Sequence, residues 1–369
     1  MSQFIGKCGL AAAIAISIGA SSLAEANVNV GGRIHLDAAF HDEDQRELSD
    51  GFRVRRARIG VNGKVDDNWS YKSEIDFAEN GVDFKDMYIG HSSGIKIGQF
   101  KVPFGLDELT SSNDITFIER SLPTSFTQSR RIGFGYENSV DNFLFQSMIF
   151  GQPIGSQGSR QAAGGDENFG VAGRVVFNPQ VGEGQTLHLG IGANMESPNH
   201  DNDETARFRA RPESRVTGLR FVDTGTIADV DSIFRYNLEG LYINGPFTLQ
   251  GEYLAASVNR DSGLQDYDFD GAYVQALYTM GGQRGYRGGR LRGPSVGDAG
   301  TWEFGIRYST IDLNDSGLMG GKENNITLGI NYYPTNRLRF MFNYINVDTD
   351  EAAGNDDPNI FLMRAQVSF

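Results

Sequence analysis

Residues 206–221 read ARFRARPESRVTGLRF, with five arginines and one acid, Glu213, in a chain of 369 residues whose formal net charge is −14. Guanidinium groups present forked donors that match phosphate or carboxylate oxygens, and they stay charged at any relevant pH. Arg207, Arg209 and Arg211 alternate, so an extended backbone directs all three to one side; Arg215 and Arg220 follow once Pro212 has turned the chain. In a water-filled passage such a row replaces part of an anion's hydration shell, and several neighbouring stations let the ion leave as easily as it enters. A second basic run, GGQRGYRGGRLRGPSVGDAG at 281–300, sets Arg284, Arg287, Arg290 and Arg292 against Asp298 alone. Catalysis finds no comparable constellation. Of His35, His41, His91, His188 and His200, no two stand near a serine and an acid in a nucleophile–base spacing, so no enzyme is expected. The single cysteine, Cys8, leaves no disulfide or thiolate site, and neither a cofactor nor a nucleic-acid partner is expected.

The elements that must position these arginines are strands. The chain holds 47 Gly, 25 Phe and 14 Tyr against 10 Pro, a balance that favours strands and turns over helices. Apolar residues recur at spacing two: Trp302, Phe304, Ile306 and Tyr308 alternate with Glu303, Gly305, Arg307 and Ser309, and Leu187, Leu189 and Ile191 alternate with His188, Gly190 and Gly192. The same pattern places strands at 28–40, 52–65, 67–78, 82–91, 94–101, 130–138, 141–151, 168–178, 185–196, 231–243, 246–258, 269–280, 300–311, 323–333, 336–348 and 358–369.

Sixteen is an even number, and the connections alternate in length. Short turns at 65–67, 138–141, 244–245 and 334–336 fall on one side of the strand order, and long connections at 41–51, 101–129, 152–167, 196–230 and 258–269 on the other. A β-sandwich would also alternate. The small and charged second face, the aromatics at the ends of the apolar face and the short-turn, long-loop asymmetry instead point to a 16-stranded antiparallel transmembrane β-barrel, all-β, which pairs every backbone group inside lipid. The segment at 281–300 falls on the short-turn side, so its length marks it as either functional, as a pore-lining segment, or disordered, and its glycines suit both.

Residues 1–26 read as a secretory signal, with Lys7, the apolar run Leu10 to Ile18 and the small-x-small site Ala24-Glu25-Ala26; the barrel then occupies 27–369. No run of about 18 apolar residues offers a membrane helix. Phe369 ends an alternating segment with Phe361, Met363, Ala365 and Val367 on the same face, which resembles the signal that hands outer-membrane barrels to their assembly machinery.

The stretch GQFKVPFGLDELTSSNDITFIERSLP at 98–123 closely resembles the motif following the fifth strand in the phosphate-selective porin family, of the porin O and P type. Weaker matches run along the chain: GGRIHLDAAF at the first strand, FRVRRARIG at the second, SEIDFA at the third, FKDMYIG at the fourth and TWEFGIRYSTIDLND near the end. The resemblance implies a bacterial outer-membrane channel for phosphate or polyphosphate, usually a homotrimer, whose lumen is narrowed by inward-folded loops lined with arginine and lysine.

Strand parity assigns further inward cations. Arg56 and Arg58 share parity with Gly60 and Asn62; Arg33, Lys72 and Lys101 point inward on the same register; Arg287 and Arg290 belong to the basic run at 281–300. Lys72 has Glu74 and Asp76 as lumen neighbours. Arg53 and Arg55 carry the other parity, beyond a bulge at the outer rim, and rank below these. The acids gather in outer loops: HDEDQRELSD at 41–50, NHDNDE at 199–204, DSGLQDYDFD at 261–270, DLNDSG at 312–317 and DTDEAAGNDD at 348–357. They are solvated or bridge lipopolysaccharide through divalent cations, and a negative mouth repels anions over a Debye length of about 8 Å. The alternative within transport is a general diffusion porin on the same scaffold, without sharp phosphate specificity.

Overall fold

The computed structural model describes residues 28–78, 81–155, 169–198, 204–261, 263–351 and 354–369. The expected signal at 1–26 lies outside them. The first nine strands are β1 (Val28–Asp42), β2 (Gly51–Lys64), β3 (Trp69–Asp76), β4 (Asp83–His91), β5 (Ile95–Lys101), β6 (Arg130–Val140), β7 (Phe143–Phe150), β8 (Gly170–Phe177) and β9 (Gln185–Glu196). A short pair follows, β10 (Arg209–Ala210) and β11 (Val222–Asp223). Then come β12 (Val230–Asn244), β13 (Phe247–Arg260) and β14 (Tyr267–Met280), and a second short pair, β15 (Arg284–Tyr286) and β16 (Leu291–Pro294). The chain finishes with β17 (Thr301–Asp315), β18 (Leu318–Thr335), β19 (Leu338–Asp350) and β20 (Asn359–Ser368).

Sixteen of these, all but the two short pairs, form one closed antiparallel barrel, with β1 against β20 at the seam. All sixteen segments expected from alternation are present. The short pairs were not anticipated, and neither belongs to the barrel.

The faces are inverted relative to a protein folded in water. On β12 the outward residues Phe234, Tyr236 and Leu238 are exposed, Leu238 at 51%, whereas the inward Arg235, Asn237 and Glu239 are buried, Asn237 at 0%. Apolar residues face out because the surrounding medium is lipid, and ladder hydrogen bonds around the ring leave no open sheet edge. Trp302 stacked on Tyr332, with ring centroids 4.5 Å apart, and Phe247 beside Tyr278 belong to the aromatic girdle near the short-turn rim.

Two of the register shifts in the wall bear on the lumen. Between His35 and Leu36 of β1, the partner strand runs from Arg56 to Val54, so Arg55 is the extra residue of a bulge. Between Ser73 and Ile75 of β3, the partners run from Met87 to Phe84, so β4 carries the extra residue there. The turn from β4 to β5 needs Gly94, whose φ is 97° and whose hypothetical Cβ would lie 2.0 Å from the Glu137 carbonyl oxygen.

Among the described residues, three connections enter the barrel. Residues 102–129 fold in from the long-loop rim around a four-residue helical turn, α1 (Leu106–Leu109), and a 3-10 turn at Leu122–Phe126. Residues 204–229 enter from the same rim and form β10 and β11. Residues 281–300 enter from the opposite rim as the β15–β16 hairpin. Phe104, Phe126, Phe208, Val222 and Phe269 share one buried apolar cluster that glues the first two segments to β14. Leu106 and Leu291 join Leu241 and Ile243 in another, which glues the first segment to the third.

Candidate functional site

The 102–129 loop is an irregular backbone inside a barrel, so its polar groups need partners from the wall. Buried arginines supply them. Arg339 donates to Ile115 O and Thr116 O at 2.7 and 2.8 Å. Arg364 donates from Nη1 to Ile118 O at 2.6 Å while its Nε and Nη2 hold Asp37, at 2.6 and 2.7 Å. Arg284, from the 281–300 hairpin, reaches Thr116 Oγ1 and is itself held by Glu303 at 2.6 and 2.7 Å. On the other side Glu252 accepts from Leu106 N and Asp107 N at 2.6 and 2.7 Å, fixing the start of α1. His35 and His188, both inward by parity, are fully buried structural donors or acceptors: His35 beside Asn113 and Arg56, His188 between Tyr286 and Glu239.

What the loops leave open is a chamber of about 1090 Å³. Seventeen lysines and arginines line it against seven carboxylates, the reverse of the balance in the whole chain. Of the twelve candidate site residues, Arg33, Arg56, Arg58, Lys72, Lys101, Arg207, Arg209, Arg211, Arg215, Arg220 and Arg290 are among its lining. Arg287 is not. Gly288 and Gly289, with φ of 58° and 68°, turn the hairpin tightly there and leave Arg287 exposed away from the chamber.

Most of the wall cations are spoken for. Arg33 reaches Glu74 at 3.1 Å, and Arg58 reaches Asp76 at 2.7 Å and Glu74 at 3.1 Å. With Glu74 and Asp76 occupied, Lys72 pairs with Asp86 on β4, which also takes Arg130 at 2.7 Å. Lys101 and Arg120 share Glu108, each at 3.4 Å. Burial alone would raise the Glu108 pKa, but Arg120, Lys101 and Arg130 outweigh it and hold the carboxyl at about 2. Arg290 lies 3.9 Å from Glu137, and Arg292 3.5 Å from Asp114.

The basic run at 206–221 differs. Ala206, Phe208 and Ala210 are buried on one side of the extended segment, and Arg207 and Arg209 stand exposed on the other, as alternation requires. Arg207 forks onto Asp223 with two contacts of 2.6 Å. Among the described residues Arg209, Arg211 and Arg220 have no carboxylate within ion-pair distance. Burial, then the neighbouring Arg215, Arg220, Arg53 and Arg209 cations, push the Arg211 guanidinium down to about 10, so it is still charged at neutral pH. Arg211 Nε is buried without a hydrogen-bond partner among the described residues. These three guanidiniums are the donors in the chamber with the most unspent capacity for an oxyanion.

Parity alone misplaced two residues. Arg55 lines the chamber and holds Glu119 at 2.7 Å, and Arg53 donates to Arg215 O; the β2 bulge turns both toward the lumen, contrary to their lower ranking. Lys85 lines it beside the β4 bulge. Arg120 and Arg130 lie in or at the edge of the 102–129 loop, where alternation carries no information. Lys96 could have been found: it has inward parity between Ile95 and Ile97, and it sits 4.9 Å from the Tyr88 ring.

A closed sixteen-stranded barrel, apolar outside and charged within, with inserted loops leaving a polar chamber, is an outer-membrane porin. The chain belongs to the phosphate-selective porin O and P family, which it matches over residues 28–369. Among relatives, it is 25% identical to porin O of Pseudomonas aeruginosa over 94% of this chain and 89% of that one. It is 30% identical to an uncharacterized protein of Caulobacter vibrioides over 85% of this chain and 67% of that one. Solved structures with the same fold include a loop-deletion mutant of OmpT, an outer membrane protein of Vibrio cholerae, with a TM-score of 0.62, 15% identity and coverage of 93% and 99%. The anion-selective porin of Comamonas acidovorans gives 0.61 at 14% identity, with coverage of 94% and 100%. Family and fold are those of channel-forming porins, and the location is the outer membrane.

Proposed function

We propose that this porin is a passive, anion-preferring channel for phosphate or polyphosphate, with the arginine and lysine lining of its chamber as the conducting path. The observation that carries the reading is the run Arg209, Arg211 and Arg220: cations brought together in the narrowed lumen with no carboxylate beside them among the described residues. Family membership and the name of the Comamonas porin support the same direction.

The working unit we propose is a homotrimer, in keeping with a Vibrio OmpT structure described as a trimer form. Phe369, whose backbone pairs with Gly32 at the seam, would be the residue read by the barrel assembly machinery. Outer acids such as Asp348 and Asp350 would meet lipopolysaccharide.

The test is single-channel recording in planar bilayers under a KCl gradient, with phosphate and then pyrophosphate titrated in. A reversal potential set by chloride and block at millimolar phosphate or below support the proposal; weak or cation selectivity without block refutes it. One observation favours the alternative of a general diffusion porin. The wall pairs Arg33–Glu74, Arg58–Asp76 and Lys72–Asp86 cancel much of the charge that a selective filter would display.

A further inference from the structure

The single acid of the basic run occupies its corner. Glu213 follows Pro212 with φ of 50°, and its N–H donates back to Arg211 O at 2.6 Å, so the chain reverses tightly there. That reversal brings Arg215 and Arg220 alongside Arg209 and Arg211. A non-glycine residue in this conformation costs about 1–3 kcal/mol and persists only when its surroundings hold it.

Its carboxylate does the holding. Glu213 Oε2 takes the Arg307 guanidinium from β17 and accepts from Thr327 Oγ1 of β18 at 2.9 Å. The same Arg307 donates twice to Glu119 O of the 102–129 loop, at 3.2 Å each, and lies over the Phe117 ring at 4.5 Å. One wall arginine therefore ties down two of the three inserted segments. The 204–229 segment is also held at its base, where Phe208 packs between Phe126 and Phe269, each 5.6 Å away, and β10 pairs with β11, and past the corner, where Val216, Leu219 and Phe221 pack with Ile118, Met341 and Ile345. Nearer the corner, Arg53 donates to Arg215 O and Arg46 stacks over Phe221 at 4.5 Å.

We propose that Glu213, through Arg307, is the positioning residue of the anion filter: it touches no substrate but sets where Arg211, Arg215 and Arg220 stand against their mutual repulsion. The proposal rests on the anion-channel reading above and adds to it a specificity-determining residue of opposite charge.

Two readouts test it. In the first, Glu213→Ala is compared with wild type for phosphate block in planar bilayers. Displaced cations should raise the half-blocking concentration about tenfold, the equivalent of losing one close charge, and single-channel conductance should rise. In the second, Ser214→Cys, a near-isosteric change at a fully buried position beside the corner, is placed in a background with Cys8, the chain's single cysteine, replaced by serine. Its labelling by a charged maleimide should be slow with Glu213 present and about tenfold faster once Glu213→Ala is added, as the local opening free energy falls. Glu213→Gln, which keeps the acceptor for Thr327 and loses the ion pair, should fall between the two.

Unchanged labelling, with the barrel still heat-modifiable on gels, overturns the positioning role. Faster labelling with unchanged block overturns its link to selectivity. If wild type itself shows no phosphate block, the anion-channel reading fails and the link with it, while labelling still decides whether Glu213 holds the corner.

Discussion

Replacing Arg209, Arg211 and Arg220 together by glutamine removes three cations without emptying their space. A unit charge about 4 Å from an anion contributes about 1 kcal/mol in bulk water and about 4 kcal/mol at an effective dielectric of about 20. The chamber is large and polar, so the lower figure applies; the triple variant should lose about 3 kcal/mol, or roughly 100-fold in phosphate block. Arg207 provides the internal control. Its fork is already spent on Asp223 by two bonds of 2.6 Å, so Arg207→Gln should weaken block less than any one of the three. The assay is single-channel current at about 0.1 M KCl, repeated at about 1 M, where a Debye length of about 3 Å should shrink the difference between wild type and variant. A triple variant within threefold of wild type, or an Arg207→Gln effect equal to that of Arg211→Gln, would refute the reasoning that unspent donors form the filter.

The remaining predictions address the scaffold and pH. Arg364→Met leaves Asp37 buried without its two hydrogen bonds and frees Ile118 O, at a cost of about 3–5 kcal/mol; the 102–129 loop should loosen, seen as larger and noisier conductance and a lower gel-shift transition temperature. Gly94→Ala forces a Cβ to within 2.0 Å of Glu137 O at a φ of 97°, adding at least about 1–3 kcal/mol of strain, and should reduce the fraction of compact barrel on unheated gels. Glu108 has a depressed pKa, so its contribution to holding the loop is fully present above the ordinary glutamate value of 4.5 and is lost as pH falls through about 2. Conductance should therefore be steady down to about pH 4 and rise below it, and Glu108→Gln should abolish that step. Phosphate block should tighten as pH rises through the second ionisation of phosphate, since the arginines stay charged while the ligand gains charge; block independent of pH over that range would contradict direct oxyanion contact.

The barrel was legible because lipid outside and water inside impose one rule on every strand. Period-two alternation at 301–308 or 185–192 reports a face, not a partner, and neighbours in sequence are neighbours in the ring. The same local rule failed wherever the backbone left it. Bulges in β2 and β4 add one residue and reverse parity, so alternation does not carry the lumen face through to Arg55 and Lys85. The twenty residues of 281–300 stood out by length, yet only their fold separates buried Arg284 and lining Arg290 from Arg287, exposed before two glycines with positive φ.

By itself, then, the sequence determined the strand count, the inward and outward faces and the side of the chain on which Arg207 and Arg209 stand, because each follows from backbone geometry within a few residues. Tertiary structure alone decided which charges are spent. Arg339, Arg364 and Arg307 have the same inward parity as Arg33 and Arg58, but the first three meet loop carbonyls and hold the constriction, while the others meet carboxylates at the edge of the chamber. A charge's partner is chosen by distance across the lumen, between residues as far apart as Glu213 and Arg307, and no local pattern carries that information.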